Sequence, residues 1–242
     1  MIKKLTLLAI SFFDFFHQRK IIKFLKNNNL INIDILFDVG AHKGESINLF
    51  LKELIVKKII SFEASFINFE FLKKNKEHYF KKFPNTEILI ENIALGSENK
   101  KISFNQFDES SSSTFNNINK QSKYFKRKFN LLNFFDKKEI YKSYQVTTQT
   151  LDGYMEINNY KKVNFIKIDT EGYEYEVLIG LKDKIRNVDI IMFEHHYDDM
   201  IRKNYTFTDI NKLLKINNFV QIYKSKMPFR KTFEYIYKKK EI

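Results

Sequence analysis

The sequence predicts an α/β protein in which helices cover both faces of a doubly wound, parallel sheet. Two patterns carry that expectation. Short apolar runs closed by turn residues alternate with stretches of helical period from residue 33 to 95, and the alternation resumes from 163 to 218. Strand, helix, strand in succession is the unit of such a sheet. With 43% hydrophobic and 16% aromatic residues in a chain of 242, there is enough apolar surface for a full core.

The first stretch, "MIKKLTLLAISFFDFFHQRKIIKFLKNNN", has a basic start and an apolar middle. Asp14 interrupts the apolar run and no small-residue cleavage site follows, so a secretory signal is not expected. Leu5 to Phe16 is also short of the roughly 20 apolar residues that span a bilayer. Residues 1–32 are therefore expected to form a helical extension packed on a domain of residues 33–242. A membrane-surface helix, with Lys3, Lys4, Arg19 and Lys20 at the headgroups, is the alternative.

Within the domain, "IDILFDVG" (33–40) predicts a buried strand stopped by glycine. After Gly44, the residues Ile47, Phe50, Leu51, Leu54 and Ile55 fall on one stripe of a helix. "KIISFEA" (58–64) predicts the second strand, and "SFINFEFLKKNKEHYFKKF" (65–83) a helix closed by Pro84. "EILIENIAL" (87–95) predicts the third strand. "ISFNQF" (102–107) and "SYQVTTQT" (143–150) alternate as exposed antiparallel strands do. The insert at about 108–142 is Ser-rich, then basic and aromatic; it is too long for a plain loop and predicts a helix of its own. "VNFIKID" (163–169) and "VDIIMFEHH" (188–196) predict strands four and five, with a helix at 175–185 between them. "TDINKLLKINN" (208–218) predicts a helix capped by Thr208 or Asp209, followed by strands at "FVQIYK" and "EYIYKK". No Pro/Gly linker divides the chain.

Composition narrows the chemistry. The absence of Cys excludes disulfides, thiolate metal sites and cysteine nucleophiles, and fits a reducing compartment, expected to be the cytoplasm. A formal net charge of +13 admits a nucleic-acid or anionic-membrane partner, or a plain compositional bias, since the lysines are spread through every segment.

The informative stretch is "FDVGAHKGESINLFLKELIVKKIISFEAS". Ligands of open parallel sheets sit beyond the carboxyl ends of the strands. Asp38, Gly40 and Gly44 stand at such an end, in a chain with only 6 glycines. Their G-x-x-x-G spacing is neither the dinucleotide fingerprint nor a Walker loop. Glu63 ends the second strand, where a carboxylate with two acceptor oxygens suits both hydroxyls of a ribose. A ribose reader without a diphosphate loop points to S-adenosylmethionine. In that reading Asp38, Gly40, Ala41, His42, Gly44 and Glu45 meet its amino-acid end, Glu63 with Ala64 holds the ribose, and Asn92, Ile93 and Ala94 frame the adenine.

"LFDVGAHKGE", "ISFEAS", "ENIALGSENKKISF", "TQTLDGY", "NFIKIDTEGYEYEVLIGL" and "IIMFEHH" together resemble the FkbM-type methyltransferases over roughly residues 33–222. The resemblance implies a Rossmann-like class I methyltransferase sheet of seven strands, the last antiparallel. It also implies transfer of a methyl group from S-adenosylmethionine, usually to a hydroxyl of a sugar, polysaccharide or other secondary metabolite. His42 departs from the family, which more often has Asn there. The Ser-rich "SSSST" (110–114) falls where the family often has Ser near the cofactor, and is otherwise a flexible tract. The insert is the least family-like region.

A hydroxyl acceptor benefits from a base. Asp169 and Glu171 after strand four, and Glu194 with His195 after strand five, are the candidate catalytic residues. Crowded carboxylates raise one another's pKa; alternatively they hold Mg²⁺, which would acidify the acceptor. His195 and His196 point to opposite faces, so at most one reaches the site. Partners are thus a small-molecule or glycan acceptor. An RNA or DNA methyltransferase is the alternative, favoured by the charge and by "KYFKRKF" (123–129). The chain has "DTEG" rather than an Asp/Asn-Pro-Pro-aromatic tetrapeptide after strand four. A non-catalytic nucleotide- or glycan-binding module is the other alternative.

Overall fold

The computed structural model describes residues 2–107, 112–132 and 141–240. In chain order the elements begin with α1 (Ile2–Asn27), β1 (Asn32–Val39), α2 (Glu45–Glu53), β2 (Ile55–Phe62), α3 (Phe66–Lys74), α4 (Lys76–Lys82), β3 (Glu87–Glu91) and β4 (Ala94–Leu95). The middle holds β5 (Lys101–Phe107), β6 (Asn117–Ile118), α5 (Lys123–Leu132), β7 (Tyr141–Gln149) and α6 (Leu151–Ile157). The last third holds β8 (Val163–Ile168), α7 (Glu174–Ile179), a 3₁₀ turn (Lys182–Asn187), β9 (Val188–His196), β10 (Ile201–Arg202), α8 (Phe207–Ile216), β11 (Phe219–Lys226) and β12 (Thr232–Lys239).

Seven strands form the main sheet in the order β11-β12-β9-β8-β1-β2-β3. The pairs β3/β2, β2/β1, β1/β8 and β8/β9 are parallel, while β12 runs antiparallel to both its neighbours. This is the Rossmann-like class I methyltransferase sheet with its last strand reversed. A sheet covered on both faces needs consecutive apolar residues in its strands, and the buried pairs Leu36–Phe37, Ile59–Ile60, Phe165–Ile166 and Met192–Phe193 supply them in β1, β2, β8 and β9. One face packs Leu36, Ile59, Phe165, Met192 and Ile236 against Ile21 and Leu25 of α1 and Ile47 and Phe50 of α2. The other packs Phe37, Ile60, Ile166 and Phe193 against α6, α7 and α8.

Several boundaries differ from expectation. The helix expected over 65–83 breaks at Asn75, giving α3 and α4. The third strand also splits: β3 stays in the main sheet, and β4 leaves it to join β7 and β5 in a second, three-stranded sheet. The helix expected over 175–185 stops at Gly180, where a side chain would collide with the Gly96 carbonyl; the chain continues as a 3₁₀ turn. The cap of α8 is Thr206, not Thr208 or Asp209. Asp209 is the return partner, accepting from Thr206 N at 2.7 Å and Thr206 Oγ1 at 2.8 Å. The insert does carry a helix, α5, and its Asn117–Ile118 strand pairs with β10. Residues 110 and 111 of the serine tract lie outside the described residues. Among the described residues no helix is long and apolar enough to cross a membrane.

Candidate active site

A cleft opens beyond the carboxyl ends of β1, β2 and β8. Its floor depends on Gly40. The backbone there is left-handed, φ +81°, and a β-carbon would collide with the Asp169 carbonyl. The bare backbone is thus required by the protein's own β8 end as well as exposed to the cleft. Asp169 N donates to Val39 O at 2.9 Å, tying the two strand ends together.

On one side of the cleft lies Glu63, 6% exposed. Its two carboxylate oxygens each accept one backbone N–H, from His42 at 2.7 Å and from Ser65 at 2.8 Å. Each oxygen keeps a further lone pair for a ligand hydroxyl. Burial pushes the Glu63 carboxyl up to about 7, against the lowering effect of those two N–H groups. Ala64 lies beside it, and Ile93, Leu95, Phe104 and Phe115 supply apolar walls. Asn92 holds the strand end by donating from Nδ2 to Glu63 O at 2.8 Å.

On the opposite side stand Asp169, Thr170 and Glu171. Glu171 is at φ +51°, unusual for a side chain of its size. The loop is clamped in that form: Thr114 Oγ1 donates to Glu171 O at 2.7 Å, and Glu174 Oε1 accepts from Gly172 N at 2.8 Å. Asp169 Oδ2 lies 3.2 Å from Lys167 Nζ, whose other neighbour is Asp38 Oδ1 at 3.6 Å. Burial alone would lower the Lys167 pKa, but Asp169 and Asp38 outweigh it and hold it raised. Next along the same face comes Glu194, whose carboxyl is raised by burial and then by Asp169. His196 Nε2 sits 2.9 Å from Glu194 Oε1 and 3.3 Å from Glu171 Oε2. Glu171, Glu194 and His196 each offer one donor atom within 4.8 Å of the others, the arrangement that could hold a metal.

The sequence-predicted residues fall into two groups. Gly40, His42, Glu63, Ala64, Ile93, Asp169 and Glu171 line the cleft; Asp38, Ala41, Gly44, Glu45, Asn92, Ala94 and Glu194 do not. Asp38 is wholly buried, with its carboxyl raised by burial and no hydrogen bond to either oxygen. Gly44 is the left-handed residue that starts α2, and Glu45 binds back to His42 Nδ1 at 3.1 Å. His195 is a correction: it faces away from the carboxylates, edge-on to Tyr197 and beside Tyr205 and Phe207. Burial there pushes its pKa down to about 3, so it is a neutral packing residue. His196 takes its place because it shares a face with Glu194 two residues earlier. Phe104, Ser113 and Phe115, which also line the cleft, come from the second sheet and the insert; their approach is non-local, and only the serine tract hinted at it.

The family model for the methyltransferase FkbM domain matches residues 38–220. Among solved structures, methyltransferase FkbM from Methylobacillus flagellatus KT superposes with a TM-score of 0.55 at 14% identity, covering 86% of this chain and 43% of that protein. The chain therefore spans under half the length of that relative. Magnesium protoporphyrin IX methyltransferase from Synechocystis PCC 6803, with bound S-adenosylhomocysteine, superposes with a TM-score of 0.53 at 8% identity, covering 96% of this chain and 85% of that one. Both likenesses are likenesses of fold. No curated protein matches the sequence.

Proposed function

The chain belongs to the FkbM methyltransferase family, and from that premise we propose that it methylates a hydroxyl of a sugar, polysaccharide or related metabolite, using S-adenosylmethionine. The observation that carries this reading is one cleft with two different acidic sides: Glu63, poised for a ribose, and Asp169 with Glu171, poised for a proton. The residues fit the cofactor. Glu63 keeps acceptor capacity on both oxygens, and Ile93 with Phe104 gives an apolar slot for a base.

When bound, S-adenosylmethionine supplies an activated methyl group on its sulfonium and departs as S-adenosylhomocysteine. Glu63 accepts the ribose hydroxyls. The β8 end orients the acceptor, so that its oxygen is placed for in-line attack; such placement is worth up to ~7–11 kcal/mol. A carboxylate at that end takes the hydroxyl proton as the new C–O bond forms and the C–S bond breaks. The lack of Cys supports a reducing, cytoplasmic setting. Radiolabelled S-adenosylmethionine offered with a panel of oligosaccharides and sugar nucleotides tests the reading. Label transferred to a glycan hydroxyl supports it, whereas transfer only to RNA would replace the acceptor class.

A further inference from the structure

The ends of β8, β9 and β12 build a cluster that general-base catalysis alone does not need. His196 is 9% exposed and lies between two carboxylates. Its Nδ1 faces Thr232 Oγ1 at 3.2 Å, so that ring nitrogen has a partner outside the cluster. Nε2 behaves differently. Although 2.9 Å from Glu194 Oε1 and 3.3 Å from Glu171 Oε2, it makes no hydrogen bond. Neither oxygen lies along its N–H direction. Asp198 Oδ2, nearby and buried, makes none either.

Those spacings match another arrangement. Two adjacent ligands of an octahedral cation, each at about 2.1 Å, stand roughly 3 Å apart. A histidine whose outer nitrogen is held by a hydroxyl and whose inner nitrogen is left bare is the usual state of a metal-binding imidazole.

We propose that Glu171 Oε2, Glu194 Oε1 and His196 Nε2 form a binding site for one divalent cation of the Mn²⁺ type, next to the acceptor end of the cleft. Two carboxylates select a hard ion, and the imidazole favours Mn²⁺ over Mg²⁺. Three protein ligands leave positions open for water or an acceptor oxygen. The site's role in catalysis rests on the methyl-transfer reading; the binding does not. In that role the cation lowers the pKa of the acceptor hydroxyl. Asp169, which lines the cleft beside Glu171, then takes the proton as the C–O bond forms and the sulfonium C–S bond breaks.

The test is Mn²⁺ titration into the EDTA-stripped full chain, without cofactor or acceptor, followed by calorimetry and electron spin-echo spectroscopy. One bound Mn²⁺ per chain is expected, with a ¹⁴N modulation from a directly bound imidazole. Glu194→Gln and His196→Gln should weaken binding at least tenfold, and His196→Gln should abolish the ¹⁴N signal. Thr232→Val, which frees the outer ring nitrogen, should weaken binding by about 10–100-fold. No binding at millimolar Mn²⁺, bound Mn²⁺ without ¹⁴N modulation, or unchanged affinity in folded Glu194→Gln would overturn the site. The spectroscopic readout uses the unaltered protein, so it stands even where a variant fails to fold. Methyl transfer that persists undiminished in EDTA would overturn the catalytic role, and Mn²⁺ binding without any methyl transfer would overturn only the reaction reading.

Discussion

The carbonyl of Asp169 occupies the space that a side chain on Gly40 would need. The first strand of the sheet and its central neighbour β8 therefore meet backbone to backbone at the floor of the cleft. Gly40→Ala must relieve both that collision and a positive φ. A destabilisation of roughly 2–4 kcal/mol is expected, read as a fall in urea midpoint at unchanged slope. Loss of cofactor binding should accompany it, because the same residue lines the cleft. A Gly40→Ala protein of normal stability would contradict this packing.

Glu63 gives the cofactor affinity a pH dependence. Burial pushes its carboxyl up to about 7 in the free protein, and the ionised form accepts from two ribose hydroxyls more strongly than the neutral acid, which carries a proton on one of its oxygens. Affinity should therefore rise as pH increases up to about 7 and level off above it, by at most about tenfold per pH unit. Stability has the opposite sign. A carboxyl raised above its ordinary value contributes stability that is present below about 4.5 and lost as pH rises through about 7. Calorimetric Kd values from pH 5.5 to 8.5, beside melting curves of the free protein, check both slopes. A flat affinity profile would remove Glu63 from ribose recognition.

Asp169 should matter for turnover rather than cofactor binding. It stands across the cleft from Glu63 and beside Glu171. A proton acceptor acts in the transition state, so Asp169→Asn should lower kcat by about 10²–10⁴-fold with the cofactor Kd near normal. Full methyl transfer by this variant to the true acceptor would show that the base lies elsewhere.

The net charge of +13 bears on the acceptor class. If the basic surface reflects composition, Kd for generic single- or double-stranded nucleic acid at physiological salt should be no tighter than roughly 10⁻⁶ M. Tight binding with a steep salt dependence, measured by fluorescence anisotropy, would favour an RNA acceptor over a glycan.

What the sequence made legible was local. The apolar runs of β1, β8 and β9 and the stripe of α2 are patterns of one strand or one helix, and they place Gly40, Glu63, Asp169 and Glu171 at strand ends. Breaks caused by distant contacts were not legible. Gly180, at the end of α7, lies so close to the Gly96 carbonyl that no side chain fits, and β4 leaves the sheet to pair with β7, some fifty residues away. Alternation puts His195 and His196 on opposite faces of the strand, and so does the structure. The choice between them follows from Glu194, whose face only His196 shares. The position of Asp38 before the glycine loop predicts a ligand contact, whereas its register opposite Lys167 makes it a buried partner of that residue.

The central claim is that Glu63 reads the ribose of S-adenosylmethionine in this cleft. Calorimetric titration of the unaltered chain and of Glu63→Ala, each with S-adenosylmethionine and with NAD, tests it most directly. The expected result is one site for S-adenosylmethionine, none for NAD, and an affinity loss of about 1.5–3 kcal/mol in a folded Glu63→Ala protein, the range for hydrogen bonds to a charged group. Binding of NAD in preference, or an unchanged S-adenosylmethionine affinity in the variant, would contradict it.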